Sequence, residues 1–510
     1  MAGVLSSLAL WHLTLLAGLP LLPNQPKPQL AQAVVYRGNL AQAITPQPMG
    51  PQAPAAGEPL AEPVEVPRGP SLSLFPSGQY QVPLASLPSL PPPLGLPLLQ
   101  SQVSCPALQR RLQAIVGAES SVWSISVADA RGRLLADVNG QAARLPASNQ
   151  KLVSTAFALD RLGPDYHLNT QLWRLGDGSF RLTGEGDPDL ALPQLQRFAR
   201  LALATNANAN ANSAGNGNGN ANSNGIGNGN ANSANANANS GDGPQPTLLR
   251  LQLAEEPPQA WWPQGWNPDD RFYAYGAPVT RLAVTSNAIH AAVANPPARL
   301  SGLLAKALAQ QGTKTQLSLV SAHLPLPSDA VLVHQEPSAP MHNLLSLANT
   351  ESHNFTAEVL LRQGAGSWNL QEARRREMQW LAEQGLPMEG VIVADGSGLD
   401  RGNRLTSRFL VALLLRMNQH PYANQYLASL AVAGRRGTLR NLFIGSPIEG
   451  RFYAKTGTLT GVRSISGVLE TADGPRYVSN ISNGASVPND TIRQVLLQVL
   501  RTELCDAQPG

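Results

Sequence analysis

Sustained periodicity begins near residue 106, where Leu108, Leu112, Ile115 and Val116 recur at helical spacing and predict an amphipathic helix over 106–117. Residues 122–127 alternate as a strand, Arg131-Gly132 reads as a turn, and 134–138 reads as a second strand. Helical apolar patterns return at 341–347, 355–361 and 409–417, with strand-like segments at 391–394, 464–470 and 477–481. Ile492, Val495, Leu496, Val499 and Leu500 predict a closing helix, with Asn489 or Asp490 as its cap. A helix and strand pair thus open the patterned region, and a strand pair and helix close it. Both ends are expected to share one sheet.

Between these segments the pattern fails. Residues 34–104 are rich in Pro, Ala, Gln and Leu without periodicity and read as a disordered or polyproline spacer. A tract of Asn, Ala, Gly and Ser over 206–243 is too polar to bury a core and reads as a disordered surface insertion. The apolar run 4–22, followed by Ala31-Gln32-Ala33, reads as a signal peptide over 1–33 and hence an exported, periplasmic or cell-envelope protein. A basic segment ahead of that run is missing, so an uncleaved anchor or a buried helix also fits it. Contact with a membrane is expected only through such an uncleaved signal.

Composition adds limits. A hydrophobic content of 43% supports a globular body, and a net charge of +4 without a basic stripe gives no support to nucleic-acid binding. The two cysteines, Cys105 and Cys505, flank the patterned region. In an exported protein they could be bridged, and a sheet shared by both ends would bring them close; two separate thiols are the alternative. No paired His spacing suggests a metal, and no cofactor is expected. Of the 37 basic residues, five are lysine (Lys27, Lys151, Lys306, Lys314 and Lys455) and the rest are arginine. A lysine kept in such a chain suggests a task that needs a removable proton.

Two of the five fall in motifs. Lys151 follows Ser148 by three positions, which places both on one helix face, and an unprotonated amine there would activate the hydroxyl. Lys455-Thr456-Gly457-Thr458 reads as the opening of an edge strand continuing through 461–467. It offers a charge, two hydroxyls for a carboxylate and a glycine for close approach of substrate. A Ser-x-Asn triplet occurs at Ser233, Ser352 and Ser367. Ser233 lies in the Asn-rich tract and Ser367 reads as a helix cap, whereas Ser352-His353-Asn354 sits between two helical segments, where a tight loop can face a cleft. Asp187 reads as a turn residue, Asp395-Gly396-Ser397-Gly398 as a loop bracing the site, and Arg374-Arg375-Arg376 as a solvated helix face.

Together these motifs resemble the penicillin-recognising serine enzymes. The runs Pro146-Ala147-Ser148, Gly186-Asp187-Pro188, Tyr275-Gly276-Ala277-Pro278, Ser352 to Glu358 and Asp395 to Leu399 with Asn403-Arg404 narrow the resemblance. It is to the class C low-molecular-mass penicillin-binding proteins, over about 105–503. The 204 residues between Ser148 and Ser352 leave room for inserted domains, as in that family. His353 stands where those proteins often have Asp, and Glu185 in a run usually rich in Gly.

The resemblance implies an α+β fold, a transpeptidase-like (β-lactamase-like) domain with one or two smaller β-rich domains inserted. Its parts are expected at 105–165 and 336–510, with the insertion over 166–335. It implies serine-type D-alanyl-D-alanine carboxypeptidase or endopeptidase activity on peptidoglycan peptides, with β-lactams as covalent inhibitors. Ser148 would be the nucleophile and Lys151 its base. Ser352, aided by Lys455, would pass a proton to the leaving amine, and Asn354 would bond Lys151 or the substrate amide. Thr456, Gly457 and Thr458 would bind the substrate carboxylate end, with the Ser148 and Thr458 amides as oxyanion hole. Two rivals share part of this evidence. A β-lactamase or esterase would use the same nucleophile but release the acyl group quickly, and a catalytically silent cell-wall-binding protein would not be labelled by penicillin.

Overall fold

The structure, a computed structural model, describes residues 98–215 and 248–506. The expected signal peptide and most of the expected spacer lie outside the described residues, as does the 216–243 part of the Asn-rich tract. The described residues begin at Leu98, and 98–104, expected to belong to the spacer, are fixed to the folded body. Leu98 and Leu99 pack against the core, the Gln100 amide donates to Gly132 O, and Val103 bridges Leu134.

The chain runs α1 (Pro106–Val116), β1 (Trp123–Asp129), β2 (Leu134–Val138), α2 (Gln150–Leu162), β3 (Asn169–Arg174), β4 (Phe180–Gly184) and α3 (Leu192–Gly215). It continues with β5 (Leu248–Glu255), α4 (Pro296–Ala309), β6 (Lys314–Ser321), β7 (Val331–Pro337), α5 (Met341–Asn349), α6 (Asn354–Ala365) and α7 (Leu370–Glu383). Then follow α8 (Ser407–Asn418), α9 (Ala423–Ala428), β8 (Ala431–Val432), β9 (Phe452–Leu459), β10 (Val462–Thr471), β11 (Gly474–Asn483) and α10 (Pro488–Val499).

The main sheet has six antiparallel strands in the order β2-β1-β11-β10-β9-β8. Strands β1 and β11 pair along their length, from Trp123 opposite Ser482 to Asp129 opposite Arg476, so both ends of the described chain build one sheet, as the patterning predicts. Strict alternation sorts its faces. Trp123, Ile125, Val127, Ile465 and Val478 point to one side, where Leu108 and Leu112 of α1 and Val495, Leu496 and Val499 of α10 cover them. On the other face Ala128, Val468, Tyr477 and Ile481 join the larger core formed with α2, α5, α6, α7 and α8.

Residues 169–337 contain a second sheet, in the order β6-β5-β4-β3-β7. Its β4–β5 and β5–β6 pairs are parallel. Parallel neighbours need crossovers, which α3 and α4 supply. Leu195, Phe198, Leu300 and Leu304 of those helices pack on Leu182, Leu249 and Leu251.

Several local expectations are corrected. Helix α3 continues to Gly215, through the first residues of the tract expected to be disordered, because its apolar face (Leu195, Phe198, Ala199, Ala202) anchors it and the alanines that follow favour helix. Residues 391–394 form no strand, only a bridge from Ile392 to Arg404. Val391 and Val393 are instead buried in the larger core. Helix α10 starts two or three residues early, with Val487 at its cap position and Pro488 at the first turn. Asn369, not Ser367, caps α7, accepting from the Glu372 amide. Arg375 and Arg376 both pair with Glu372, but only Arg375 is an exposed residue; Arg376 also donates to Ala365 O, and Arg374 donates to Val393 O. Lys455 lies inside β9, and a hairpin at Thr460-Gly461 separates that strand from β10.

Cys105, at the cap of α1, and Cys505, beyond α10, form a disulfide with a Cα–Cα distance of 5.1 Å. The bond encloses 400 residues of separation and so restrains the unfolded chain strongly. Replacing Cys505 with Ser is expected to lower unfolding free energy by about 2–4 kcal/mol, measured by thermal or denaturant melts.

Candidate active site

The nucleophile candidate is presented by a short turn of 3-10 helix, Ala147–Asn149, that runs into α2. Ala147 adopts φ +47°, an unusual conformation for a residue with a Cβ, and Ser352 adopts φ +63°. Strain of this kind persists where the surroundings dictate it. Ser464 Oγ donates to Pro146 O at 2.6 Å, and Asn149 Nδ2 to Ser466 Oγ at 2.9 Å, so the turn is tied to β10. Gly457 explains the close packing from the other side. A Cβ there would lie 2.7 Å from Pro146 O and 3.0 Å from the Ser148 nitrogen. This glycine therefore admits the Ser148 turn itself, a tighter requirement than the substrate approach expected from the motif.

Lys151 is fully buried, and its Nζ has three neighbours. Asn354 Oδ1 lies at 2.6 Å, Ser397 O at 2.7 Å and Ser148 Oγ at 2.9 Å. The first two are acceptors, and each takes an N–H. A neutral amine has two N–H bonds and one lone pair, so that lone pair is left facing the Ser148 hydroxyl. Burial lowers the Lys151 pKa to about 7, partly opposed by the negative charges of Asp395 and Glu358. The amine is thus set to take a proton from Ser148 near neutral pH.

Those two carboxylates also shape the loop behind it. Glu358 Oε1 accepts from the amides of Gly396 and Ser397, both at 2.9 Å, while Oε2 pairs with Arg362 at 2.8 Å. Asp395 accepts from Trp266 Nε1, Ser397 Oγ, Asn403 Nδ2 and the amides of Gly398 and Asp400. The loop so fixed delivers the Ser397 carbonyl to Lys151. Asp187 lies apart from this cluster: it accepts from the Asp189 amide, and burial raises its pKa to about 7.

On the far side of the cleft, Lys455 is also fully buried and donates to Ser352 Oγ at 2.9 Å and to Thr456 O at 2.8 Å. Burial, then repulsion from Lys151, pushes its pKa well below the usual lysine value. Asn354 Nδ2 donates to Tyr275 O at 2.9 Å. Its amide is therefore committed at both ends, with the oxygen on Lys151. Thr456 Oγ1 pairs with Thr438 Oγ1 at 2.8 Å, and Thr458 is exposed at the mouth. Ser148, Lys151 and Asn354 thus form one bonded set and Ser352 and Lys455 a second, near enough for Lys151 to act on Lys455 by charge, with Thr456, Gly457 and Thr458 on the strand that carries Lys455.

Sequence reasoning did not single out the carbonyls of Tyr275 and Ser397 or the hydroxyl of Thr438 as parts of the site. The first two lie in runs that had been noted, but a backbone acceptor has no signature of its own. Thr438 carried no signal.

Residues 107–205 and 287–502 match the family described as D-Ala-D-Ala carboxypeptidase 3 (S13). The chain is 33% identical over 228 residues to a D-alanyl-D-alanine carboxypeptidase of Actinomadura sp., covering 42% of this chain and 40% of the relative. It is 27% identical over 187 residues to D-alanyl-D-alanine carboxypeptidase DacB of Haemophilus influenzae, covering 34% of this chain and 39% of the relative. The chain therefore spans about two fifths of the length of these curated relatives. The crystal structure of penicillin binding protein 4 (dacB) from Haemophilus influenzae shares the fold, with a TM-score of 0.61 at 17% identity over 78% of this chain and 99% of the other. The same protein complexed with a β-lactam gives 0.57 at 18% identity over the same shares.

Two outcomes follow from this geometry. Acylation of Ser148 by a reporter penicillin is expected to slow about tenfold per pH unit well below pH 7, because the Lys151 amine must be free; stopped-flow rates across pH 5–9 check this. Gly398 has φ +83°, and a Cβ there would lie 1.9 Å from Ala147 O, so Gly398→Ala should shift the nucleophile turn. A loss of about 1–3 kcal/mol in melts, together with loss of penicillin labelling, is expected.

Proposed function

This chain belongs to the D-Ala-D-Ala carboxypeptidase 3 (S13) family, and from that premise we propose that it hydrolyses D-alanyl-D-alanine-type bonds of peptidoglycan stem peptides through an acyl-enzyme on Ser148. The observation that carries this reading is the buried Lys151 amine, with two acceptors on its N–H bonds and its lone pair toward Ser148 Oγ.

In the proposed reaction Ser148 Oγ attacks the scissile carbonyl carbon while Lys151 Nζ takes its proton. The oxyanion falls between the amides of Ser148 and Thr458. Leu459 and Val462 face each other across the two-residue turn, so alternation along β9 directs the Thr456 and Thr458 amides away from β10. Strand β8 pairs with Tyr453 and Ala454 and stops short of them. That leaves an edge along which an extended peptide can lie. When the tetrahedral adduct collapses, the C–N bond breaks and the departing amine takes a proton by way of Ser352 Oγ, which Lys455 supports. In this reading the hydroxyls of Thr456, Thr458 and Thr438 bind the terminal carboxylate, supported by the Thr456–Thr438 contact beside the cleft. Water then adds to the ester carbonyl as Lys151 Nζ takes its proton, and that proton passes to Ser148 Oγ as the ester C–O bond breaks. Each oxyanion donor is worth about 3–4 kcal/mol in such chemistry.

β-Lactams would acylate the same hydroxyl, as cyclic amides that enter the same cleft. An exported, cell-envelope location is part of the proposal; the apolar run 4–22 and the disulfide support it.

Incubation with purified muropeptides and mass analysis test the reading. The wild type is expected to release D-Ala or to convert cross-linked dimers to monomers, and Ser148→Ala to do neither. Equal turnover by the variant would defeat the assignment, and rapid release of bound penicillin would favour a β-lactamase. Lys151→Ala should slow acylation roughly 10²–10⁴-fold.

A further inference from the structure

Below Lys151 lies a polar group that the proposed reaction does not use. Glu377 on α7 is completely buried, and neither of its carboxyl oxygens has a hydrogen-bond partner among the described residues. Two other acids share its surroundings, Glu358 from α6 and Asp395 from the loop after Val393. Those two are well supplied: Glu358 by two amides and Arg362, Asp395 by five donors. Glu377 has nothing comparable. The cations of the adjoining elements are engaged elsewhere: Arg362 on α6 by Glu358, Arg374 on α7 by Val393 O, and Lys151 on α2 by its three neighbours. An isolated carboxylate in such a place gives up its charge. Burial and the two neighbouring acids accordingly hold its proton well above the ordinary carboxyl range.

The Ser154 hydroxyl of α2 stands within reach of Glu377, and its hydrogen, if turned to that carboxylate, would favour the charged form. Its one hydrogen is committed to Gly396 O at 2.9 Å, so what it offers to other neighbours is lone pairs. An ionised carboxylate is acceptor-only and cannot bond them, whereas a carboxylic acid carries one O–H. Gly396 in turn precedes Ser397, whose carbonyl holds Lys151. We propose that Glu377 works as an uncharged acid whose O–H is directed at Ser154 Oγ. It is a positioning residue that, through Ser154 and Gly396, steadies the carbonyl orienting Lys151. The inference rests on Lys151 being the base for Ser148. It also explains why an acid is compatible with that base. A third negative charge under Lys151 would favour the ammonium form and reduce the free amine.

The test compares two substitutions by their penicillin acylation rates across pH 5–9. Glu377→Gln keeps the shape and a donor, and is expected to stay within about twofold of the wild type with the same pH midpoint. Glu377→Met keeps the bulk but has no donor, and is expected to acylate about tenfold more slowly, the worth of one neutral hydrogen bond, with a displaced midpoint. A Gln variant as slow as the Met variant, or a Met variant as fast as the wild type, overturns the proposal. If Glu377→Met fails to fold in circular-dichroism melts, Ser154→Ala takes its place with the same expectation and the same overturning result. Infrared spectra of the wild type at pH 8 should show a carboxylic-acid C=O stretch that Glu377→Gln removes; its absence also overturns the proposal. Ser148→Ala separates the two levels. Labelling that survives it defeats the active-site reading and this one together, while labelling that needs Ser148 but ignores Glu377 and Ser154 defeats this one alone.

Discussion

The site depends on one constraint: an amine is held out of water with two of its three contacts restricted to acceptors. Desolvation alone would make Lys151 neutral without directing it. The Asn354 amide oxygen and the Ser397 carbonyl consume both N–H bonds, and the remaining lone pair has Ser148 Oγ in front of it. Protonation state and orientation are therefore set by the same packing. Lys455 is handled differently. Its Nζ donates to the Ser352 hydroxyl and the Thr456 carbonyl, so it is arranged to support a hydroxyl across the cleft.

Holding those acceptors requires much of the fold. Asn354 opens α6 and is braced by the Tyr275 carbonyl from the segment between β5 and α4, while the Ser397 loop hangs on Glu358 and Asp395. The nucleophile turn rests on β10 through Ser464 and Ser466, and β9 comes close enough to it only because position 457 lacks a side chain. Each of these supports comes from a different stretch of sequence, and the two cores on either side of the sheet keep them in register.

Much of this was legible before any coordinates. Three-residue spacing placed Ser148 and Lys151 on one face, and the choice of Ser352 over Ser233 and Ser367 followed from its place between two helices. Alternation in β1, β10 and β11 foretold a sheet made from both ends. The failures have physical causes. The 391–394 stretch has the composition of a strand, yet its valines enter the helical core and the Asp395 carboxylate takes the amides that follow. The β9–β10 hairpin was hidden because Lys455-Thr456-Gly457-Thr458 runs into its turn without a break in pattern. Helix α3 outlasted its own apolar face because alanine continues a helix that packing has started. Backbone carbonyls were invisible because any residue can supply them.

The pairing of β1 with β11 has a consequence for a chain made from its N-terminus. Asn149, next to the nucleophile, is fastened to Ser466 across 317 residues of intervening sequence. Contacts so distant form late and slowly. A nascent chain would carry Ser148 and Lys151 long before β9 and β10 exist to seat them. Assembly of the site is thereby deferred until β9 and β10 have been made, a delay built into the order of the chain.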